Sequence, residues 1–226
     1  MIFTKQKMLF FGQISPLGGL CGIGLLIMAS GRLSWAVSVS MALLCIYVFS
    51  VLAFVSLSCE KCRKFFPQWG RPYIFICISY LFAGIYILIS WLASPLAAME
   101  VFFMVLLIPL FCAGSGVSGH YLSSANGVSK NLLDSLREAS VKAAAEAAML
   151  AVLIILVSLI REPLAFYSLS LPSPSKGMIR IFSFEDGAVL PMRIFAGSAG
   201  ALLLLGYIFC LYQYFKKKHF QQGDDK

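Results

Sequence analysis

Apolar residues fall into six long runs, roughly Met8 to Ser30, Leu33 to Ser58, Tyr73 to Ala93, Val101 to Gly119, Ala143 to Ile160 and Met192 to Phe215. Each is close to the roughly 20 residues that an α-helix needs to cross a bilayer. Within the runs apolar side chains occupy every face. Strands of a membrane barrel would alternate polar and apolar over about ten residues, so the pattern predicts an all-α membrane protein with six transmembrane helices. The first run follows Lys5 and Lys7 like a signal peptide, but its length and the lack of a small-residue cleavage site predict a retained helix. Leu20 before Cys21 likewise argues against a lipid-attachment cysteine.

Composition agrees. Of 226 residues, 60% are hydrophobic and 12% charged, about half the charged fraction of a soluble domain. Six spans leave about 100 residues for loops and tails. The chain therefore reads as a single integral membrane domain over 1–226. It has neither a Rossmann fingerprint nor a P-loop, and too little extramembrane mass for either fold.

The net charge of +8 is an orientation signal. With six spans, 13 Lys and Arg fall on the side of the termini and five (Arg32, Arg161, Lys176, Arg180, Arg193) on the other. The positive-inside bias places both termini in the cytoplasm and the protein in the cell inner membrane. The connection of about 30 residues from Arg161 to Pro191 then faces outward. Its Leu171-Pro172-Ser173-Pro174-Ser175 stretch reads as irregular loop and Ile179 to Phe184 as a short strand or interfacial segment. It is either a docking surface or a mobile loop.

Two runs share an interruption. The first contains Ser15-Pro16-Leu17-Gly18-Gly19-Leu20-Cys21-Gly22-Ile23-Gly24, the fourth Ile108-Pro109-Leu110-Phe111-Cys112-Ala113-Gly114-Ser115-Gly116. Each has Pro-Leu, then cysteine, and both are rich in glycine. Such clusters predict broken helices 1 and 4. Matched breaks in two halves of a chain point to a site between inverted repeats, here a 3+3 repeat of about 8–93 and 101–215. The alternative is glycine-rich packing helices, whose small residues permit close approach.

In this setting the chain resembles the Rnf/Nqr family of six-helix subunits of ion-translocating ferredoxin:NAD and NADH:quinone oxidoreductases. The resemblance rests on Gly19-Leu20-Cys21, Ile108-Pro109-Leu110, Gly119, Leu132-Leu133-Asp134 and Ile160-Arg161-Glu162, in that order. It implies a non-catalytic, electron-carrying subunit paired with an inverted-topology homologue, each giving two cysteines to a shared [2Fe–2S] cluster. Inward termini resemble the subunit lettered E in Rnf and D in Nqr. The implied ligands here are Cys21 and Cys112. The family's second cysteine aligns with Ser115, and Cys112 lies three residues earlier, about one helical turn. The other reading is a small transport or binding subunit with an ion or solute site at the breaks and no cluster.

Beyond Asp134 the residues Ser135, Arg137, Glu138, Lys142 and Glu146 form a polar stripe at helical spacing, either a seam against a partner or ion path or, for all but Glu146, a solvated face on a helix that starts outside the bilayer. Cys59 and Cys62 form a Cys-x-x-Cys in a basic inner loop, read as incidental thiols or as a redox or metal pair. Cys45, Cys77 and Cys210 read as packing residues. His120 and His219 have no triad partner nearby in sequence. Trp35, Trp69, Tyr73, Trp91, Tyr212 and Tyr214 form the interfacial belt, and Lys216-Lys217-Lys218 a topology anchor.

Overall fold

The computed structural model describes residues 16–57, 71–114, 132–173, 177–183 and 193–221. Six α-helices lie among them: α1 Pro16–Ala29, α2 Leu33–Leu57, α3 Arg71–Ala93, α4 Pro95–Gly114, α5 Leu132–Phe166 and α6 Ser198–Gln221. A hairpin of β1 Ser168–Ser173 and β2 Gly177–Ser183 and a 3-10 turn, Arg193–Ala196, separate α5 from α6. By length and composition α2, α3 and the Leu136–Phe166 part of α5 are each able to cross a membrane. Shorter apolar stretches occupy Leu20–Ala29, Ala98–Gly114 and Ser198–Leu211. Large apolar side chains also cover the outside of the bundle, including Leu81, Ile85, Leu88, Ile89 and Leu92 on α3, and Leu202, Leu203 and Tyr207 on α6. An apolar exterior of that extent suits hydrocarbon better than water.

The core is built on α2, which packs antiparallel along α5. Leu33 meets Glu162, Ser40 meets Ala151 and Tyr47 meets Glu146. The reason is legible in α5, where Ala139, Ala143, Ala147 and Ala151 recur every fourth residue and are all buried. Residues four apart share a helix face, and a stripe of methyl groups lets two backbones approach closely. Cys112 is also in the core, whereas Cys45 is half-buried and Cys77 and Cys210 are exposed. The last two therefore do not pack inside, because α3 and α6 lie at the periphery and turn those positions outward.

The expected interruptions are not found among the described residues. Pro16 opens α1, a position where a missing N–H costs nothing because the first turn has no acceptor for it. Pro109 lies inside an unbroken α4. It removes one intrahelical hydrogen bond, the one to the carbonyl of Val105, and neighbouring helices make such a loss tolerable in an apolar bundle. The α1 glycines remain helical. Ser15, Ser115, Gly116 and Gly119 lie outside the described residues, as do Cys59, Cys62, His120 and Trp69.

Two helix starts also differ from hydropathy. Helix α4 begins at Pro95, not near Val101, because Ser94 takes the capping position and its carbonyl accepts the first turn's hydrogen bond from Ala98 N–H (3.0 Å). Helix α5 has 35 residues and begins at Leu132, well before the apolar run. At 1.5 Å per residue it is about 52 Å long, which exceeds a hydrocarbon layer of about 30 Å.

Leu171 to Ser173 of the Ser/Pro stretch are strand, not irregular loop, in an antiparallel ribbon pairing Leu171 with Ile179 and Pro172 with Met178; Pro174 and Ser175 lie outside the described residues. Both strands of a two-stranded ribbon are edges, so Pro172 can stand where no N–H is required. Tyr167 makes the turn out of α5 with φ of 48°, its N–H bonded to Pro163 O.

Candidate functional site

Both cysteine-bearing segments meet in space. Helix α1 crosses α4, and at the contact a Cβ added to Gly22 would lie 3.2 Å from the Phe111 ring. Gly22 and Phe111 adjoin Cys21 and Cys112 in sequence, so the two thiol-bearing residues flank one crossing. Cys21 is half-buried and Cys112 fully buried. Glycine thus serves here as a spacer that admits an aromatic ring. Gly22→Leu is expected to push α1 off α4 and destabilise the protein by about 2 kcal/mol, in the range of overpacked cores. A thermal melt in detergent checks this, and Phe111→Leu in the same chain should recover part of the loss.

From this crossing a short polar chain extends into the α2–α5 interface. Phe111 and Tyr47 meet edge to face with ring centroids 6.3 Å apart. The Tyr47 hydroxyl donates to Glu146 Oε2 at 2.7 Å. Tyr47 is fully buried, Glu146 is half-buried, and the Glu146 carboxylate lies within electrostatic range of the Cys112 thiol. The remainder of the stripe behaves differently. Arg137, Glu138 and Lys142 are exposed, and Lys142 donates to Glu138 one turn back. From Arg137 to Lys142 the stripe is therefore a solvated face, and Glu146 alone of these four turns into the bundle. Glu146 stood out in the sequence as a carboxylate at the edge of an apolar run. Tyr47 did not, because an aromatic residue in a span carries no mark of its distant partner.

Near the opposite end of α5, Arg161 and Glu162 are buried at 3% and 2% exposure. Arg161 Nε donates to Phe195 O (2.6 Å), one terminal nitrogen to Ile27 O and Ser30 Oγ (both 2.9 Å), and the other to Ala196 O (2.9 Å) and Gly197 O (3.0 Å). A guanidinium has five N–H donors, and this set occupies all of them. Its acceptors lie in the last turn of α1 and the turn before α6, where carbonyl dipoles favour a cation. Glu162 Oε2 accepts Leu33 N–H at 2.7 Å, placing a carboxylate at the N-terminus of α2, where the dipole favours an anion. Adjacent residues thus tie α5 to α1, α2 and α6.

Chemically, the two segments that cross carry one thiol each. A [2Fe–2S] cluster takes four thiolates, so this chain's pair would be half a set. Among the described residues no group of three or more His, Cys, Asp and Glu is placed to hold a metal ion. A cluster shared between two chains needs ligands that reach a surface. Cys21 meets that condition, whereas Cys112 has no exposed surface in this arrangement. Comparison with known families, with curated proteins and with solved structures finds no match to this chain.

Proposed function

We propose that the protein is an integral membrane subunit of an Rnf/Nqr-like ion-translocating electron-transfer complex, with the α1–α4 crossing as its functional centre. The observation that carries this reading is the meeting of the two cysteine-bearing segments, 91 positions apart in sequence, at Gly22 and Phe111. A [2Fe–2S] cluster bound there together with an inverted-topology homologue would supply a one-electron carrier inside the bilayer. This chain's own part is to present Cys21 from α1, to keep water from Cys112, and to set a carboxylate and a phenol alongside.

A repeat relation of α1–α3 to α4–α6 is supported by which helices touch, and its inverted sense by the antiparallel packing of the equivalent helices α2 and α5. Helix α1 packs on α4 and α2 on α5, the equivalent pairs. The contact of α3 with α4 has its counterpart in α6 with α1, that of α2 with α3 in α5 with α6, and that of α2 with α4 in α5 with α1. Three connections, α1 to α2, α3 to α4 and α5 to α6, are joined at one end through Trp35 to Glu100, Leu33 to Glu162 and Arg161 to Phe195. That grouping is what alternating spans require. Together with the positive-inside bias it supports the reading in which this end is the outer one and both termini are cytoplasmic.

A second reading, an ion or solute site without a cluster, is favoured by the Tyr47–Glu146 pair and the burial of Cys112, since intramembrane carboxylates commonly mark ion paths. Purification with the neighbouring subunits followed by iron and labile-sulfide analysis separates the two. The electron-transfer reading expects iron, sulfide and a visible absorbance that Cys21→Ser abolishes. An iron-free complex that still moves an ion or solute would establish the second reading instead.

A further inference from the structure

At the end of the bundle where the three connections meet, two opposite charges bracket one indole. The Arg32 guanidinium carbon lies 5.1 Å from the centroid of the Trp35 ring and 5.8 Å from that of Phe166. On its nitrogen edge the same indole donates to Glu100 Oε2 at 2.7 Å, and Glu100 is exposed. Four stretches supply the cluster: the turn before α2 (Arg32), the first turn of α2 (Trp35), the last residue of α5 (Phe166) and the second turn of α4 (Glu100). Arg32 immediately precedes one apolar span, which begins at Leu33, and Phe166 ends another. The cluster therefore stands at the level where hydrocarbon gives way to headgroups, the depth at which indole rings and arginines anchor.

We propose that Arg32, Trp35 and Glu100 form a seat for a zwitterionic phospholipid headgroup of the phosphatidylethanolamine type. Arg32 takes the phosphate, because a planar guanidinium bonds two phosphate oxygens at once and ring contacts hold that plane in place. Glu100 accepts a hydrogen bond from the primary ammonium, two carbons away on the same headgroup. An anionic lipid such as phosphatidylglycerol matches only half of the pair. Its glycerol brings no positive charge for Glu100, and its phosphate would face that carboxylate unscreened.

The test uses the full chain in nanodiscs holding equal phosphatidylethanolamine and phosphatidylglycerol, with retained lipid counted by native mass spectrometry after mild detergent extraction. The wild type is expected to retain phosphatidylethanolamine over phosphatidylglycerol by about tenfold, the effect of one charge-assisted bond. Glu100→Gln keeps an oxygen for the Trp35 N–H but loses the charge, and should bring the ratio to about one. Arg32→Gln should lower retention of both lipids by about tenfold. Equal retention by the wild type overturns the proposal, as does either folded variant behaving as the wild type. Should Arg32→Gln not fold, the ratio in Glu100→Gln decides the matter.

Discussion

Arg161→Leu is expected to be the most destabilising single change in the half of the bundle that carries the hairpin. Leucine fills part of the volume but makes none of the five hydrogen bonds, so the carbonyls of Phe195 and Ala196 lose this donor, while Ile27 O keeps the Ser30 hydroxyl (3.5 Å) and Gly197 O keeps Gly200 N–H (3.2 Å). Each buried acceptor left unsatisfied costs about 1–3 kcal/mol, and the neighbouring helices relax to meet part of that demand. A net loss of about 4 kcal/mol is in keeping with the breaking of other buried charged networks. For a chain of this size that lowers Tm by about 12 °C, at about 3 °C per kcal/mol. Arg161→Lys should recover little of it. Its ammonium has three donors at a single point and cannot reach the α1 end and the turn before α6 at once. Glu162→Gln is the contrasting control. It keeps an oxygen for Leu33 N–H and loses only the charge at the helix terminus, about 1 kcal/mol. Thermal unfolding of the three variants in one detergent, followed by circular dichroism, makes the comparison.

The second large effect is expected at Gly200, in the first turn of α6. A Cβ there would stand 2.4 Å from Phe195 Cα and 2.6 Å from Ile194 O, both backbone atoms of the preceding 3-10 turn. No rotamer change relieves such a contact, so in Gly200→Ala the turn must move away from α6. The Phe195, Ala196 and Gly197 carbonyls that move are those Arg161 holds. A loss of about 3 kcal/mol is expected. Because both substitutions act on one turn, the double variant with Arg161→Leu should lose clearly less than the sum of the two. Simple addition of the losses would mean that the turn and the arginine are independent.

These residues also show where the sequence was legible and where it was not. Hydropathy placed α2 and α3 within two residues at each end, because their spans are bounded by charged or turn-forming residues. It began α5 eleven residues late, since a hydropathy threshold rejects a stretch carrying Asp134, Arg137, Glu138 and Lys142, although its leucines, Arg137, Glu138, Ala139 and Lys142 are good helix formers. It also mistook Pro109 and the α1 glycines for breaks. Proline and glycine loosen a helix locally, but whether it parts depends on what packs beside it, and the Phe111 ring against Gly22 is not written in either segment alone. The same applies to Ile160-Arg161-Glu162, visible only as a short similarity. Its meaning lies in acceptors 34 to 36 residues ahead and a donor 129 residues behind. Glu146 was singled out as a charge in the wrong place, and its partner Tyr47, 99 positions away, was not.

The account depends most on the division of connections between two faces of a membrane, because the inverted halves, the outer hairpin and the inward termini all follow from it. Cysteine labelling with a membrane-impermeant maleimide in intact cells tests it most directly. A Leu171→Cys variant on the exposed side of the hairpin is expected to be labelled at once. Cys59 and Cys62 are expected to stay unlabelled until the membrane is opened. Labelling of Cys59 or Cys62 in intact cells, or protection of position 171, would contradict the six-span arrangement.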